Sequence, residues 1–386
     1  MRAHAVGRRG PCAARCGKDG TNPVQLSAPL KDDPIEAVPW RGMHAPARLL
    51  VIRLQAFGDV VLTLPYVHAL KRLWPGVYVD FLTRDEYADL PRDLALFDRV
   101  FALHGGRRAK LQVAFGLTLV PRLMTRRYDI VADLQRNRVS RTIRRLLRPA
   151  AWTEFDRFSP RLAGERTRLT IEALGITLPP VYADLQPKRE DAGREALERA
   201  GWDPRAELVV LNPAGAFPTR NWPLENYVAF AQLWAARRDR PTQFGVVGLS
   251  SLRPRVDYLK ARLGPRVLDL VGRTTTREAF GILRRATLVL SEDSGLMHLG
   301  WVAGTPTLAL FGSSRHVWSA PHGNYSLCLH SGDLPCGACM DTECRFGDVH
   351  CLTRYTPEVV AQAALGLVRR ADTTPRVIWQ RPDANA

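Results

Sequence analysis

From Arg48 onward, apolar runs alternate with amphipathic stretches, and this alternation predicts the fold. The run RLLVIRL at 48–54 is typical of a short buried strand, and after a Gly-containing turn residues 60–74 place apolar side chains at helical spacing. Two further strands are predicted at 76–83 and 128–135, with a helical stretch before the second. Because strands alternate with helices, we predict a parallel sheet with helices on both faces.

After a Pro-containing segment around 178–188, the same pattern begins again. Its elements are predicted as strands at 207–215, 242–248, 287–292 and 305–312 and as helices at 223–237, 255–264, 277–286 and 296–302. We therefore predict two Rossmann-like, doubly wound α/β domains that face each other across a cleft, one at 47–185 and one at 186–370. In such sheets, ligands bind outside the carboxyl ends of the strands.

The two ends of the chain lack this pattern. Residues 1–46 are rich in Gly, Pro and charge, which predicts a disordered extension, either a dispensable tail or the result of a start codon assigned upstream of Met43. Residues 371–386 are predicted to form a flexible tail. The sequence has no apolar segment of the kind that a secretory signal or a membrane span needs, so we expect a cytoplasmic protein.

The charge of the chain narrows the range of partners. Its 386 residues carry 55 Lys and Arg against 38 Asp and Glu, a formal net charge of +17 at pH 7. Much of this charge comes from Arg, whose planar and permanently charged guanidinium favours phosphate-bearing partners. Nucleic acid, anionic lipid and nucleotide phosphates all fit this composition.

Two loops that follow predicted strands carry charged candidates. In QAFGD, the glycine permits a tight turn and Asp59 falls in the first turn of the next helix, where it either complements the helix dipole or faces the cleft as a general base. In NPAGAFPTRNWP, Arg220 lies just before a predicted helix start. A cation is electrostatically unfavourable there, so Arg220 either binds an anion or is a solvated surface residue.

A third loop joins a predicted buried strand to a helix within SEDSGLMHLGWVAGTPTLALFG at 291–312. Asp293, Ser294 and Gly295 form the loop, and the backbone N–H groups of the helix start favour an anion there. His298 lies one turn further along and can face the same ligand. The alternative is that His298 is a core residue whose hydrogen bonds are made within the protein. The four residues together at the end of a strand favour a binding site.

These segments resemble glycosyltransferase family 9, the ADP-heptose:lipopolysaccharide heptosyltransferases. The resemblance rests on VIRLQAFGDVVLTLPYVHALK, YDIVADLQ, NPAGAFPTRNWP and SEDSGLMHLGWVAGTPTLALFG, and it extends over about residues 47–365 in the same order and spacing. It implies a GT-B fold in which an acceptor domain precedes a nucleotide-sugar donor domain. It also implies an inverting transfer of heptose to the lipopolysaccharide inner core that requires no metal or other cofactor.

The resemblance assigns roles to the candidate residues. Asp59 is implied as the general base, and Arg220 as the counterpart of a basic residue, commonly Lys, on the donor diphosphate. The residues implied in binding the donor sugar and its phosphates are Asp293, Ser294, Gly295 and His298.

The chain departs from the family pattern after the strand at 242–248. The family often has a Gly-Gly-x-x-Glu-like run there, whose Glu is placed to contact the nucleotide ribose, whereas this chain reads GLSSLRPR. Either a serine, Ser250 or Ser251, takes the ribose contact or the donor is altered. Other nucleotide-sugar donors and other glycan acceptors therefore stay open.

The segment RNRVSRTIRRLLRP has six Arg residues between 136 and 148 and no acid. Arg138, Arg141 and Arg145 share one face of the predicted helix. This is either a solvated amphipathic helix or an acceptor-binding surface for the phosphorylated lipopolysaccharide core or the anionic inner leaflet. The second alternative predicts peripheral contact with the cytoplasmic face of the inner membrane.

Five of the seven Cys residues lie within 328–351, and the last four have the spacing C-x2-C-x4-C-x6-C. In a cytosolic protein such a cluster indicates a metal more often than disulfides. Four thiolates could hold a structural zinc tetrahedrally, with an iron–sulfur cluster and free or redox-active thiols as the alternatives. The predicted ligands are Cys336, Cys339, Cys344 and Cys351.

A non-catalytic protein that binds nucleotides or nucleic acid is the alternative from a different class, because of the net charge and the Arg-rich segment. Neither a helix-turn-helix nor an RNP-type aromatic pair accompanies this charge in the sequence. We therefore expect no nucleic-acid partner.

Overall fold

The computed structural model describes residues 35–106, 108–156 and 159–381. Within these residues, the strands form two sheets of six strands each and one small sheet of two strands. None of the helices described is both long enough and apolar enough to cross a membrane.

The first large sheet belongs to the N-terminal half of the chain. Its strands are β1 (Ala37–Val38), β2 (Arg48–Ile52), β3 (Tyr78–Arg84), β4 (Arg99–Leu103), β5 (Ile130–Asp133) and β6 (Ala151–Glu154). They lie in the order β1-β6-β5-β2-β3-β4, and all neighbours are parallel except β1, which is antiparallel to β6. β2 and β5 are almost continuous apolar runs because a central parallel strand is covered by helices on both faces.

The helices of this half follow its strands. They are α1 (Phe57–Leu73), α2 (Asp89–Asp93), α3 (Ala109–Met124), α4 (Arg138–Leu147) and α5 (Ala163–Glu172). Ten residues of α1 are buried, among them Val60, Leu64 and Val67. This helix is apolar over much of its circumference because it packs both on the first sheet and on the second half of the chain.

The second large sheet is entirely parallel. After the short strand β7 (Val181–Tyr182), its members are β8 (Glu207–Asn212), β9 (Thr242–Gly248), β10 (Val267–Val271), β11 (Leu288–Glu292), β12 (Thr307–Phe311) and β13 (Ser326–His330). Their order is β10-β9-β8-β11-β12-β13. The order reverses direction between β8 and β11, and a ligand crevice is expected at such a point.

The helices of the second half are α6 (Ala192–Arg199), α7 (Leu224–Ala235), α8 (Arg253–Leu263), α9 (Thr276–Leu283), α10 (Gly295–Val302), α11 (His316–Ser319), α12 (His350–Thr353) and α13 (Pro357–Ala371). Short 3-10 helices lie at Asp85–Tyr87, Pro218–Arg220, Ser250–Leu252 and Gly264–Arg266. Of these elements, α10 packs directly against α1 of the first half. The two halves therefore meet through the helices that follow β2 and β11.

Both predicted tails contain strands. Within the predicted N-terminal extension, Ala37 and Val38 form β1 at the edge of the first sheet, while residues 1–34 lie outside the described part of the chain. β14 (Val377–Trp379) pairs antiparallel with β7, so the chain returns from α13 to the segment between the halves. The prediction of a flexible tail from residue 371 is therefore wrong for this strand, because its partner lies far away in the sequence and no local pattern shows the pairing.

Candidate active site

Two of the predicted loops face each other between the two large sheets. Asp59 lies in the first turn of α1, and Ser294 is the residue that precedes α10. Since α1 packs against α10, the starts of these helices lie close together. The fold thus joins residues from opposite halves of the sequence in one cleft.

Two glycines permit this close approach. A Cβ atom on Gly58 would lie 2.5 Å from Cδ2 of His298, and a Cβ atom on Gly295 would lie 2.6 Å from Cδ1 of Phe57. Both distances are shorter than a carbon–carbon contact permits. Glycine is therefore required at both positions, and the imidazole of His298 rests on the backbone of the loop that carries Asp59.

Asp59 is held by two contacts to one of its carboxylate oxygens. Oδ2 accepts a hydrogen bond from the backbone N–H of Ala56 at 3.0 Å and forms an ion pair with Nη2 of Arg53 at 3.1 Å. Among the described residues, no hydrogen bond or ion pair engages Oδ1, and the side chain is 41% exposed. The carboxylate thus stabilises the start of α1 and still presents an oxygen to the cleft.

The electrostatic surroundings keep Asp59 ionised. Burial raises its pKa, but the Arg53 guanidinium and the N–H of Ala56 outweigh this and lower the pKa below the ordinary value. His298 and Arg166 add to the lowering at longer range. At neutral pH the group is therefore a carboxylate, the form that can accept a proton.

A cavity of about 490 Å³ opens beside Asp59. Its polar lining includes Arg53, Gln55, Arg84, Gln135 and Arg166. The guanidinium groups of Arg53 and Arg166 lie 4.6 and 5.2 Å from the ring centroid of Phe155, so both pack on this ring. Of the three arginines, Arg53 pairs with Asp59 and Arg84 pairs with Glu86 at 2.5 Å, so three guanidinium groups face two carboxylates and the lining favours an anionic ligand.

The sequence analysis did not single out these arginines. Arg84 is the last residue of β3, so its position at the carboxyl end of a strand was a usable signal. Arg53 lies two residues before the start of the QAFGD segment, which was a second signal. Arg166 lies on α5, far from both in the sequence, and only the fold brings it to the cavity.

His298 is buried beside the cleft. Within the described residues its Nδ1 has no hydrogen-bond partner. Burial lowers its pKa, while the nearby carboxylates of Asp293 and Asp59 act in the opposite direction. The imidazole is therefore neutral at pH 7, and a buried nitrogen without a partner in the protein matches a site that a ligand hydroxyl completes.

Ser294 is engaged within the protein. Its Oγ accepts hydrogen bonds from the backbone N–H of Met297 at 3.5 Å and from Nδ2 of Asn212 at 2.6 Å. The serine is thus the N-cap of α10. What the loop offers to an anion is the positive end of α10 and its N–H groups.

Arg220 and Asp293, predicted from different loops, lie next to each other. Nη1 of Arg220 is 3.4 Å from Oδ2 of Asp293, and the two side chains are only 15% and 14% exposed. Arg220 ends the 3-10 helix Pro218–Arg220 and lies over the ring of Phe217. It is therefore fixed at the cleft, which favours the anion-binding alternative over a solvated surface residue.

Glu292 fixes the loop that carries Arg220, and the sequence analysis missed it. Its fully buried carboxylate accepts hydrogen bonds from the backbone N–H groups of Gly215 and Trp222, both at 2.6 Å. These two residues lie on either side of Arg220. Burial raises the pKa of Glu292 to about 8, and Arg255, 3.6 Å away, acts against this rise. An acid at the end of a buried strand was the signal in the sequence.

Ser250 begins the 3-10 helix Ser250–Leu252, two residues after the end of β9, and is exposed. It therefore lies at the carboxyl end of the second sheet, the edge at which a nucleotide binds in such folds. Its role as the ribose contact stays a prediction.

The structure divides the arginines predicted as one acceptor surface. Arg138 and Arg145 are exposed on α4. Arg141 instead donates two hydrogen bonds to the buried carboxylate of Glu154, at 2.9 and 2.6 Å. Because the buried acid on the neighbouring strand β6 requires a cationic partner, Arg141 has a role within the protein, and acceptor binding by these three arginines stays a prediction.

The four predicted zinc ligands line one small cavity together with His350. Sγ of Cys336 lies 3.0 Å from Nε2 of His350. Across the residues that the structure covers, however, no group of three or more His, Cys, Asp or Glu side chains has a geometry that would hold a metal ion. The segment does support the Arg220 loop, since Oγ1 of Thr219 donates to the carbonyl of Asp341 at 2.6 Å.

Structural zinc thus stays a prediction, and metal analysis can decide it. Protein purified without chelator should contain one zinc per chain if the four thiols bind it, and Cys336→Ser should lose that zinc. Cys328→Ser is the matched control, because Cys328 lies on β13 outside the four-cysteine spacing. If wild-type protein contains no stoichiometric metal, the zinc prediction is wrong, and free or redox-active thiols remain as the alternative.

Comparison with known proteins gives a consistent result. The family model of glycosyltransferase family 9 (heptosyltransferase) matches residues 117–350. Lipopolysaccharide heptosyltransferase 1 of Pseudomonas aeruginosa is 26% identical over 357 residues, which cover 81% of this chain and 96% of that protein. Lipopolysaccharide heptosyltransferase 3 of Escherichia coli is 23% identical, over 72% of this chain and 86% of that protein.

Solved structures share the fold. A family 9 glycosyltransferase from Veillonella parvula has a TM-score of 0.71 at 18% identity and covers 85% of this chain and 99% of that one. ADP-heptose lipopolysaccharide heptosyltransferase II of E. coli has a TM-score of 0.66 at 18% identity, with coverages of 84% and 100%. These similarities confirm the predicted GT-B fold.

Proposed function

This chain belongs to glycosyltransferase family 9 and is a glycosyltransferase, and from this we propose that it transfers heptose from ADP-heptose to the inner core of lipopolysaccharide. The names of its relatives support this acceptor, and an E. coli heptosyltransferase of the same fold has been solved with ADP. The observation that carries the proposal is the convergence of Asp59 and His298 with the Arg220–Asp293 pair.

Asp59 acts as the general base in this proposal. The acceptor hydroxyl gives its proton to Asp59 while its oxygen forms a bond to the anomeric carbon of heptose. The bond from that carbon to the diphosphate oxygen breaks, and ADP leaves with the electron pair. Attack from the side opposite to ADP inverts the anomeric configuration. The Oδ1 atom is the one that receives the proton, since Oδ2 is held by Arg53 and Ala56.

The donor half stabilises the departing ADP. Negative charge that builds up on the diphosphate faces the guanidinium of Arg220 and the positive end of α10. Asp293 orients Arg220 from 3.4 Å away, and His298 supplies a neutral nitrogen to a heptose hydroxyl. Because these groups provide positive charge at the leaving group, we propose that the transfer requires no metal ion.

The acceptor occupies the arginine-lined cavity beside Asp59. Arg53, Arg84 and Arg166 would bind the acidic groups of the inner core and bring the acceptor hydroxyl to Asp59. Residues 47–185 would then form the acceptor domain and residues 186–370 the donor domain. We further propose that the enzyme works at the cytoplasmic face of the inner membrane, in peripheral contact with it, and that it binds no nucleic acid.

Donor binding tests this proposal with purified protein. ADP-heptose at about 100 times its Kd should stabilise the fold by about 2.7 kcal/mol, which a thermal shift detects, whereas UDP- and GDP-linked sugars should give no shift. ADP alone should give a smaller shift. If another nucleotide sugar stabilises the protein and ADP-heptose does not, the donor is not ADP-heptose. Ser250, the predicted ribose contact, is then the first residue to examine.

A further inference from the structure

The outward face of α3 is apolar and exposed to solvent. Its exposed large apolar residues are Leu111, Val113, Phe115, Leu117 and Met124, each with between 38% and 54% of its surface exposed. Single exposed apolar residues are ordinary on a protein surface, whereas several on one helix form a patch that marks an interaction site.

The helical periodicity places these apolar residues on both sides of the core-facing side of α3, with Leu111 and Phe115 on one side and Val113 and Leu117 on the other. Gln112, Gly116, Val120 and Leu123 are the residues of α3 that are buried, at the spacing of one helix face. Residues 111–121 contain no charged residue at all, and charges occur only near the two ends, at Lys110 and Arg122. A helix face that meets only water normally carries charged or polar residues along its length.

Basic residues surround this apolar face. α4 packs beside α3 and exposes Arg138 and Arg145. Arg127, just after α3, and Arg148, just after α4, are exposed as well. Neither helix contains an acidic residue. An apolar helix face with basic residues around it is the pattern of a helix that lies in the interface of an anionic membrane.

The patch lies near the acceptor cavity. α3 starts shortly after the carboxyl end of β4, and the ring of Phe115 lies 5.8 Å from the ring of His104 in the connecting loop. Gln135, which lines the cavity, precedes α4 by three residues. The starts of both helices are thus at the edge of the first sheet at which Asp59 lies.

We propose that α3, together with the exposed arginines of α4, is the surface with which the enzyme docks on an anionic lipid bilayer. Leu111, Phe115 and Leu117 enter the boundary between head groups and acyl chains, and the arginines bind lipid phosphates. A second copy of the chain is a poorer occupant, because it would bring the same basic surroundings against its partner. The inference rests on the proposed function at one point, because a lipid-linked acceptor requires the enzyme to be at a membrane.

Vesicle flotation of the full chain tests this surface. Wild-type protein should float with vesicles of equal parts phosphatidylglycerol and phosphatidylethanolamine and stay unbound with phosphatidylcholine alone. The double variant Phe115→Ser/Leu117→Ser should bind the anionic vesicles at least about tenfold more weakly, since it removes two of the apolar anchors. Arg145→Gln should weaken binding by about fivefold, the effect of one basic residue near a charged surface.

Val359→Ser is the matched control. Val359 is also an exposed apolar helix residue, 47% exposed, but it lies on α13 in the other half of the chain. This variant should bind vesicles like the wild type. The melting temperature of each variant should stay near the wild-type value, because the substituted side chains, Phe115, Leu117, Arg145 and Val359, are all exposed to solvent.

Three results would overturn the proposal. The first is wild-type protein that does not bind the anionic vesicles, and the second is an α3 double variant that binds as strongly as Val359→Ser. The third is a dimer, detected by sedimentation, that the double variant converts to monomer, which would make the patch an interface between copies. Transfer to a water-soluble, delipidated acceptor separates this question from the proposed function, because the α3 variants should retain it in full.

Discussion

Asp59→Asn should lower kcat by a factor of about 10² to 10⁴ while leaving the affinity for the donor unchanged, because general-base catalysis contributes about that much to a rate. Asparagine has the shape of aspartate, and its oxygen can still accept the hydrogen bond from the N–H of Ala56. The start of α1 is therefore preserved, and the loss is one of basicity. Initial rates of ADP release and donor binding by calorimetry measure the two effects separately.

Glu278→Gln is the control for this variant. Glu278 occupies the same position at the start of α9 as Asp59 does at the start of α1, and it accepts a backbone hydrogen bond from Thr275 at 2.8 Å. It pairs with Arg199 outside the arginine-lined cavity. The control should transfer at the wild-type rate. Transfer by Asp59→Asn at the wild-type rate would exclude Asp59 as the base.

Arg220→Gln should raise the Kd for ADP and the KM for the donor by about 10- to 100-fold. The substitution removes a charge-assisted hydrogen bond to the diphosphate, which is worth about 1.5 to 3 kcal/mol. It also leaves Asp293 without its cationic neighbour in a site where both side chains are mostly buried. Arg220→Lys should recover most of the affinity because the charge is restored.

Calorimetry with ADP measures this loss directly, and Arg262→Gln is its charge-matched control. Arg262 lies in the last turn of α8, at the end opposite to the cleft, and packs on Tyr258. Its replacement removes the same formal charge and should leave ADP binding unchanged. Equal ADP affinity of Arg220→Gln and the wild type would show that Arg220 does not bind the diphosphate.

Much of the fold could be predicted because its elements alternate regularly. β2, β8 and β11 are short apolar runs that end in Gly- or Asp-containing loops, and each is followed by a helix. In parallel sheets these loops necessarily lie at one edge, so a cleft formed by the Asp59 and Asp293 loops was predictable from local patterns. The glycines at 58 and 295 have a further role, contact between the halves, that local patterns do not show.

The residues that were missed depend on contacts between distant segments. Arg166 reaches the cavity only because α5 packs beside α1. Glu292 appears in the sequence as the end of a strand, and its hydrogen bonds to Gly215 and Trp222 depend on the pairing of β8 with β11. Arg141 has the spacing of a solvated helix face, yet a buried acid on β6 binds it. For Glu292 and for Arg141, a buried carboxylate selects its partner in three dimensions.

The apolar face of α3 illustrates the opposite case. Its pattern of apolar residues fits a core helix, and only the structure shows that one side is uncovered. The basic residues of α4, which the sequence did reveal, gain a meaning from their position beside that face.

The most direct test of the central claim is analysis of the reaction product. Purified enzyme, ADP-heptose and a heptose-free inner-core acceptor should yield an acceptor with one added heptose and one ADP for each transfer, by mass spectrometry. The new glycosidic bond should have the anomeric configuration opposite to that of the donor, by NMR, and the transfer should proceed in the presence of EDTA. A product with retained configuration, or no transfer of heptose to this acceptor, would contradict the proposed function.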